Sequence, residues 1–586
     1  MESGRDMRRL VDTALGRRPA DLVVQNGDLM DVYTGRMLPG RSIAMADEWI
    51  AYVGSDAEHT VGPDTRVIDA GGRVVCPGFM DAHTHLINYF NMPEFLSYAI
   101  PSGVTTLVTE LECYGFILGA EGVRIFLNQI ESSPIKIYAL VPPMISLSPA
   151  VRPLMIRPEQ LAGLFEDTRV MGLGESFWQG TILTPDDRVL DLIAETQRCG
   201  KSVQGHAAGA FDQKLAAYAA IGVESCHEAI STQDVLNRLE MGLYAMIREG
   251  DIRRDLEIIL PLKDKIDLRR VILVTDGTNP GLLMQNGYLR DVVQKAIDLG
   301  VEPMDAIRMV TLNPAEHLRL DTLTGGIAPG RHGDLLILPD ARTMKPQWVI
   351  AKGKVVAQDG QATVTFPAAQ NPEPLMNTVR ADPVSSADLG ISQSLADADG
   401  MVRTLDIQPG GLVAREGRAR PKVVSGDLAA DPENDLLKIF FMERLSGQGD
   451  SFTGFVRGWG QKQGAVATTL CWDAGGIMGI GENDRDLTAA VNRLIDIQGG
   501  TAVFVDGDLI LEIPLSVGGY VSHLNMAELT ERLSRFQKIM ASLGVRLDFA
   551  HLALSVLTTP AIPFIRMTEK GYYRFRESDV VGLGEI

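Results

Sequence analysis

The order of apolar and polar positions predicts strands that alternate with helices over much of the chain. Short apolar runs typical of buried strands are separated by longer segments of helical periodicity, a signature of parallel βα architecture. Eight such runs can be counted, at residues 74–85, 104–110, 135–141, 170–175, 202–206, 222–227, 243–248 and 271–276. Eight strands close a (β/α)8 barrel of about 250 residues, so the pattern predicts a TIM-like barrel. An open doubly wound sheet is the alternative, but no GxGxxG or P-loop motif supports it.

Short strand patterns also flank this region on both sides. Residues 21–70 and 325–360 contain β-type runs that are punctuated by glycine-containing turns. Residues 361–400 are rich in Pro, Ala, Ser and Asn, a composition that is typical of a linker. Beyond residue 400, strand patterns such as "GTAVFVDGDLILEIPL" and the helical "NMAELTERLSRFQKIMASLG" resume. The C-terminal part is therefore predicted to be a separate α+β domain.

Composition narrows the classes of function. A chain of 586 residues with 45% apolar and 22% charged residues can bury the cores of several globular domains. Its net charge of −20 argues against a nucleic-acid partner and favours a small neutral or cationic substrate. Five scattered cysteines suit a reducing compartment. Because the start resembles no signal peptide and no apolar stretch reaches membrane-spanning length, we expect a cytoplasmic protein without a membrane partner.

Side chains that can bind metal ions stand at the ends of five predicted strands. They are His83 and His85 on the first, Glu175 on the fourth, His206 on the fifth, His227 on the sixth and Asp276 on the eighth. The carboxyl ends of barrel strands meet at one mouth, where catalytic groups lie. Four imidazoles and two carboxylates could hold two divalent ions such as Zn, Mn or Fe. A hydrogen-bonded surface histidine is the alternative at any one position, but six such residues at strand ends are hard to explain by chance.

These residues carry a family resemblance. The stretch "PGFMDAHTH" at residues 77–85, the later single histidines and Asp276 resemble the amidohydrolase superfamily of metal-dependent hydrolases. The flanking strands resemble the composite β-sandwich of that superfamily. Most dinuclear members place a carboxylated lysine on strand four, and Glu175 at this position is similar to the adenine deaminase family. The stretches "LTGGIAPGRHGDLLIL", "ENDLLKIFFMERLSG" and "AVNRLIDIQGGTAVFVDG" also resemble that family, the last two in the C-terminal region.

The resemblance implies a domain organisation and an activity. It divides the chain into a leading helix with the first part of the β-sandwich (1–72), a metal-dependent hydrolase barrel (73–324), the return strands (325–365), a linker (366–400) and an adenine-deaminase-like α+β domain (401–586). It implies hydrolysis of adenine, or of a closely related aminopurine, to hypoxanthine and ammonia by a hydroxide that bridges two metal ions. Mn or Fe(II) are the ions it suggests, with Zn as a further candidate. Self-association into a dimer or larger homo-oligomer is also implied.

The resemblance also assigns roles to individual residues. The six strand-end side chains are the expected metal ligands, and Glu175 or Asp276 is expected to move the proton during catalysis. Asp81 is expected to brace the strand end. Glu228 follows His227 and is expected to orient it or to act as an acid, with an exposed charge as the alternative. Arg248 and Glu249, in the stretch "MIREG", are candidate substrate contacts, with a structural salt bridge as the alternative.

Three stretches depart from the family pattern. Where the family has Asp-Pro-His-Glu after strand two, this chain has "ELECYG" at residues 110–115. Gly277-Thr278 replaces the pattern Asp-Arg, and "WDAGG" at residues 472–476 replaces His-Asp-Ser-His-Asn. Glu110, Thr278, Trp472 and Asp473 are therefore further candidate substrate contacts. The departures keep open an alternative activity on another amino-heterocycle or a cyclic amide. A non-catalytic relative is less favoured, because all six candidate metal ligands are present.

Overall fold

A computed structural model describes residues 5–183, 186–366, 371–562 and 564–584. A short helix, α1 (Met7–Ala14), precedes the first strands. These strands are β1 (Leu22–Asp31), β2 (Arg36–Ala46), β3 (Trp49–Gly54), β4 (Arg66–Asp69) and β5 (Val74–Pro77). They are mainly antiparallel, and their inward faces form a separate apolar core that includes Val24, Ile43 and Ile50.

Eight parallel strands follow and form a closed barrel. They are β6 (Phe79–Thr84), β7 (Val104–Glu110), β8 (Lys136–Val141), β9 (Val170–Phe177), β10 (Ser202–His206), β11 (Ser225–Cys226), β12 (Tyr244–Arg248) and β13 (Val271–Val274). Consecutive strands pair within two sets, β6 to β10 and β11 to β13. The Glu224 N–H donates to Val203 O (2.9 Å) and the Asp276 N–H donates to His83 O (3.1 Å), so backbone hydrogen bonds join the two sets at both seams.

Side chains of alternate strand positions form two layers of the barrel core. Val108, Ile272 and Val274 belong to the inner apolar cluster, whereas Leu107 and Leu273 pack in the larger cluster outside it. This alternation is the period-two pattern of a strand that is buried on both faces. The strand patterns of the sequence therefore reflect two apolar environments.

Helices cover the outside of the barrel. They are α2 (Met92–Ala99), α3 (Glu112–Leu118), α4 (Ala120–Gln129), α5 (Pro158–Leu164), α6 (Asp187–Arg198), α7 (Asp212–Ala220), α8 (Thr232–Glu240), α9 (Pro280–Asn286), α10 (Leu289–Asp298), α11 (Pro303–Arg308) and α12 (Leu312–His317). Several begin at side-chain caps: Asn91 accepts from the Glu94 N–H at α2, and Ser231 from the Asp234 N–H at α8. Such caps satisfy backbone donors that the first helical turn leaves free.

The predicted strand at residues 74–85 is two strands. It breaks at Gly78, where a Cβ atom would come within 2.3 Å of Thr105 Oγ1. Before the break, β5 belongs to the flanking sheet, and after it β6 opens the barrel. The periodicity of the sequence did not reveal this break, because both strands are fully buried and read as one apolar run.

The chain returns to the flanking sheet after the barrel. Its return strands are β14 (Leu335–Leu338), β15 (Trp348–Ala351), β16 (Lys354–Gln358) and β17 (Gln361–Ala362). The path through this nine-stranded sheet is β17-β16-β15-β14-β5-β1-β2-β3, with β4 paired to β1. Because β14 pairs with β5, both flanks of the barrel build one sheet. The predicted fold class, a barrel with a composite flanking domain and a C-terminal α+β domain, is confirmed.

The C-terminal region forms a mixed sheet with three helices, α13 (Asp484–Asp496), α14 (Met526–Ser542) and α15 (Ala550–Ser555). Its strands are β18 (Val402–Ile407), β19 (Ala414–Ala419), β20 (Lys422–Val424), β21 (Asp427–Ala429), β22 (Leu437–Glu443), β23 (Ser451–Arg457), β24 (Ala465–Thr468), β25 (Gly476–Gly481), β26 (Gly500–Val505), β27 (Asp508–Pro514), β28 (Ile565–Thr568), β29 (Gly571–Arg574) and β30 (Asp579–Val581). The main sheet has the order β19-β18-β23-β22-β25-β24-β26-β27. In the part of the chain that the structure describes, no helix has the length and apolar character needed to cross a membrane.

Candidate active site

The barrel mouth brings together all six strand-end side chains that the sequence singled out. Their potential ligand atoms form two groups, each with all its atoms within 4.8 Å of one another. One group contains His83, His85, Glu175 and Asp276, and the other contains Glu175, His206 and His227. Glu175 belongs to both groups, which is the position of a side chain that bridges two ions.

Glu175 lies at the centre of the cluster. Its Oε1 is 3.2 Å from His83 Nε2, 3.4 Å from His85 Nε2 and 3.3 Å from His227 Nε2. Its Oε2 is 3.3 Å from His206 Nδ1. Oε1 of Glu175 therefore faces imidazoles of both groups, and Oε2 faces His206.

Asp276 completes the first group from the opposite side of the barrel. Its Oδ1 is 3.1 Å from His83 Nε2 and 3.3 Å from His85 Nε2. Two residues beyond β13, Asp276 has a backbone φ of +57°, and Gly277 follows with a φ of +99°. This left-handed turn is unfavourable for most side chains, and it directs the carboxylate toward the two histidines.

The electrostatic environment of the cluster favours binding of a proton or a metal cation. Burial opposes protonation of His83, but the hydrogen bonds and charges of Asp276 and Glu175 outweigh it and raise the pKa of His83 to about 10. Burial alone would raise the pKa of Glu175, but the surrounding imidazoles, His227 first, hold it well below its usual range. Buried carboxylates of this kind require a cationic partner, and a divalent ion can supply it.

Other polar contacts of the histidines fit metal binding. His206 Nδ1 is buried and makes no hydrogen bond of normal geometry to any described residue, although Glu175 lies beside it. His85 Nδ1, on the far side of the ring from Glu175, donates to Glu112 Oε1 at 2.6 Å. His83 Nδ1 lies 3.6 Å from Glu110 Oε1. A carboxylate on the second ring nitrogen is the usual environment of a metal-binding histidine. The donors present therefore fit divalent ions.

Glu228 and Arg248 lie next to the second group of ligands. Glu228 Oε1 is 3.4 Å from His227 Nε2 and 3.7 Å from His206 Nδ1. Both carboxylate oxygens of Glu228 accept hydrogen bonds from Arg248, which also donates to Asp276 Oδ2 at 3.2 Å. The side chain of Glu228 is only 11% exposed, so the alternative of an exposed surface charge is wrong.

A cavity of about 280 Å³ opens above the cluster. The barrel contributes the candidate ligands other than His83, together with Phe177, Ile230, Arg248 and Ile252, and the C-terminal domain contributes Leu412, Val413, Trp472, Asp473, Val556 and Thr559. The wall away from the ligands is mainly apolar. Such a mainly apolar cavity, with a few polar groups such as Asp473 besides the ligand cluster, is typical of a small-molecule site.

The candidate substrate contacts divide into two sets. Arg248, Trp472 and Asp473 line the main cavity. Glu110 and Thr278 each line a separate cleft of about 20 Å³ beside it. Glu110 is buried behind His83, so its contact is with an imidazole rather than with the main cavity.

The structure supports the alternative role of Glu249, a structural salt bridge. Its Oε1 accepts from Lys295 Nζ at 2.8 Å and its Oε2 from the Leu256 N–H at 3.3 Å. Glu249 is the residue directly after β12, and neighbouring positions at a strand end point in opposite directions. Arg248 therefore faces the mouth while Glu249 points to the helical layer, and the prediction of a substrate contact at Glu249 is corrected.

Two polar residues of the site were missed in the sequence. Glu112 contacts His85 and lies two positions after Glu110 in the same stretch, so this spacing could have identified it. Thr559 donates to Asp473 Oδ2 from the far end of the C-terminal domain. No motif marks Thr559, because its role arises from tertiary contact alone. Asp81 accepts from Thr275 Oγ1 at 2.6 Å and from the His83 N–H at 3.3 Å, so it braces the strand end as expected.

The fold and the cluster define a hydrolase of the amidohydrolase type, and the model of the "Amidohydrolase family" matches residues 74–356. The model of the "Adenine deaminase C-terminal domain" matches residues 411–579. The chain is 34% identical to the adenine deaminase of Moorella thermoacetica, with 96% of each chain covered, and 33% identical to that of Rubrobacter xylanophilus, with 98% of this chain and 97% of the relative covered. A solved structure of molinate hydrolase is 18% identical, covers 58% of this chain and 95% of that chain, and has a TM-score of 0.45. The chain belongs to the adenine deaminase family.

Proposed function

We propose that the protein catalyses the hydrolytic deamination of adenine to hypoxanthine and ammonia. The observation that carries this proposal is the cluster of six ligand side chains, with Glu175 shared between its two groups, in a chain of this family. Adenine deaminases match the sequence over 96–98% of its length, including the C-terminal domain that covers the cavity.

The cluster would hold two divalent ions per chain. His83, His85 and Asp276 would bind one, His206 and His227 the other, and Glu175 both. Mixed imidazole and carboxylate donors suit Mn or Fe(II), with Zn as a further candidate. When bound, such ions lower the pKa of water and supply hydroxide near neutral pH.

The carboxylates of Asp276 and Glu228 would move protons during the reaction. Glu175 is surrounded by four imidazoles, so its role is to hold the ligands together. Asp276 Oδ1 faces His83 and His85 and would accept the proton of the attacking water. Glu228 borders the cavity beside His206 and His227, and it would relay this proton to the ring nitrogen and the second proton of the water to the departing amine.

Arg248 would act through these two carboxylates. Its guanidinium donates to both oxygens of Glu228 and to Asp276 Oδ2, and a planar guanidinium holds such a pair in a fixed orientation. Because Glu228 and Asp276 already engage its guanidinium, we favour a positioning role for Arg248 over the direct substrate contact expected from the sequence.

The second candidate, hydrolysis of a cyclic amide or of another amino-heterocycle, is less well supported. Glu110 and Thr278 line clefts beside the main cavity, whereas Glu112, Trp472 and Asp473, which also depart from the family pattern, line the cavity itself. Only the substitutions at Glu110 and Thr278 therefore lie at the edge of the site, and adenine is favoured because the adenine deaminases among its relatives match nearly the whole chain.

Release of ammonia from adenine, with formation of hypoxanthine, tests the proposal. Protein purified without chelators is incubated with adenine and, separately, with other aminopurines and pterins, with ammonia as the readout, and with hydantoins, with the ring-opened carbamoyl acid as the readout. We expect turnover of adenine above the rest. Ammonia from none of these amines, by protein that carries its metal ions, would contradict the proposed reaction.

We also propose that the protein works in the cytoplasm as a dimer or larger homo-oligomer. The reducing conditions that suit its five free cysteines support the first statement. Light scattering of the purified protein tests the second, and a monomer at micromolar concentration would contradict it.

A further inference from the structure

A short turn of the C-terminal domain reaches into the barrel mouth. It consists of Cys471, Trp472, Asp473 and Ala474, between β24 and β25, and is called the recognition turn below. The indole of Trp472 lies nearly parallel to the imidazole of His85, with 14° between the planes and 6.5 Å between the ring centroids. Trp472 and Asp473 both line the main cavity.

The recognition turn is held in place by the rest of the C-terminal domain. The Trp472 N–H donates to Ser555 O at 3.0 Å, and Trp472 O accepts from Thr558 Oγ1 at 2.6 Å. Tyr520 Oη donates to Cys471 O (3.0 Å) and to Ala474 O (3.1 Å), at the two ends of the turn. These bonds fix the backbone on both sides of the indole.

The barrel also holds the turn. Ser146 Oγ, from the loop after β8, donates to Asp473 O at 2.5 Å. Asp473 has a left-handed backbone φ of +56°. A strained residue of this kind persists only where surrounding contacts impose it, and such residues concentrate at functional sites. The contacts of Ser146 and Thr559 therefore maintain a conformation that places Asp473 against the cavity.

The separation of the two rings suits a planar ligand. Direct face contact between two rings needs about 3.5 Å, and one intervening ring needs about 7 Å. The ring centroids of His85 and Trp472 lie 6.5 Å apart, beyond direct face contact, and a ring stacked on the indole would also lie parallel to the imidazole. A puckered, saturated ring presents no flat face for this contact.

We propose that Trp472 and Asp473 determine substrate specificity, Trp472 as a stacking platform for a planar aromatic heterocycle and Asp473 as the hydrogen-bonding partner of its polar edge. The inference deepens the proposed function and rests on it. It assigns the substrate to planar heterocyclic amines and excludes saturated cyclic amides. It also gives the C-terminal domain a direct part in recognition.

The environment of Asp473 is consistent with this role. Burial raises the pKa of the Asp473 carboxyl to about 7, against the opposing hydrogen bond from Thr559. A carboxyl group of this kind can donate to a ring nitrogen or accept from a ring N–H. The edge of a purine offers both kinds of partner.

Substitution of Trp472 tests the platform. Trp472→Leu removes the flat face but keeps an apolar side chain, and Trp472→Phe keeps a smaller aromatic face. Trp348→Leu, in the flanking sheet, is the matched control for loss of an indole. We expect Trp472→Leu to raise KM for adenine roughly tenfold to hundredfold while kcat changes little, because aromatic stacking contributes to binding of the ring. Trp472→Phe and Trp348→Leu should stay near wild type.

Calorimetric binding of hypoxanthine separates the two proposals, because hypoxanthine binds without turnover. We expect wild type to bind it, Trp472→Leu to lose at least about tenfold in affinity, and dihydrouracil, a puckered ring, not to compete. Unchanged affinity in Trp472→Leu, equal competition by dihydrouracil or no binding of hypoxanthine by wild type would overturn the platform. Wild type that binds hypoxanthine but releases no ammonia from adenine contradicts the proposed reaction alone.

Discussion

The metal-binding cluster and the wall of the cavity above it are built in different ways. Every ligand of the cluster lies in or within two residues of a barrel strand, so its position follows from the strand register. The wall combines barrel loops with residues such as Leu412, Trp472 and Thr559, which come from a separate domain. The positions of the cluster side chains follow from the repeated strands of the barrel. The cavity wall depends instead on how the barrel and the C-terminal domain pack together.

This difference separates catalysis from recognition. The chemistry of the cluster is fixed by residue types at strand ends, where a barrel tolerates little displacement. The wall can change by substitution in a loop or in the C-terminal domain while the cluster stays intact. A family can therefore keep one reaction and alter its substrate. Substitutions in the two regions should give distinguishable defects.

The largest effect is expected from His206→Ala. His206 lies at the end of β10 and faces Glu175 Oε2, so its loss should empty one of the two proposed metal positions and abolish turnover. Metal analysis should find about half of the wild-type content, with the far-UV circular dichroism unchanged. His59→Ala, at an exposed position in the turn between β3 and β4, is the matched control. Full activity of His206→Ala would contradict the assignment of the cluster.

Glu228→Gln should reduce kcat by roughly 10²–10⁴-fold, because the amide cannot transfer a proton and general acid–base catalysis contributes about this much. The amide still accepts from Arg248, and the metal content should stay at the wild-type level. Glu224→Gln, which alters a surface carboxylate paired with Arg319, is the control. Loss of metal together with activity would instead make Glu228 a ligand.

Much of the cluster could be predicted from the sequence, and much of the wall could not. Histidines two positions apart at a strand end are visible as a motif, and the eight-strand pattern brings distant strand ends such as Asp276 to them. The break at Gly78 was missed because both strands are buried. The separate roles of Arg248 and Glu249 were missed because the motif did not show which neighbour faces the mouth. Ser146 and Thr559 carry no signal at all, since only the packing of two domains gives them a role.

The junction between the barrel and the C-terminal domain should make stability depend on pH. His551 is buried in the C-terminal domain, with Nδ1 2.7 Å from Tyr89 Oη of the barrel and Nε2 2.7 Å from Thr501 Oγ1. Burial lowers the pKa of His551 to about 4. The unfolded chain therefore binds a proton between about pH 6.5 and pH 4 that the folded chain does not. Neutral, buried His551 therefore makes its full contribution to the free energy of unfolding above about pH 6.5, and roughly 3 kcal/mol of that free energy is lost by pH 4.

Unfolding in urea at pH 7 and at pH 5 measures this dependence. His551→Gln keeps a side chain that can donate and accept but cannot titrate, so its free energy of unfolding should fall by about 2 kcal/mol less than that of wild type between the two values. Other titrating groups are common to both proteins and cancel in the comparison. Parallel pH dependences would show that His551 is not buried as a neutral group at this junction.

Substitution of Glu112 is expected to have the smallest effect. It tests whether this carboxylate supports the metal-binding cluster or belongs only to the cavity wall. Glu112 binds no metal in the assignment above, but its Oε1 accepts from His85 Nδ1 at 2.6 Å and so fixes the ring that faces Asp276. Glu112→Ala should lower metal affinity by roughly 10–100-fold, the usual cost of losing such a partner, and Glu112→Gln should recover part of it because the amide oxygen still accepts. Competition with a chelator measures the affinity, and Glu121→Ala on the surface of α4 is the control. An affinity unchanged in Glu112→Ala would place this carboxylate with the wall of the cavity rather than with the cluster.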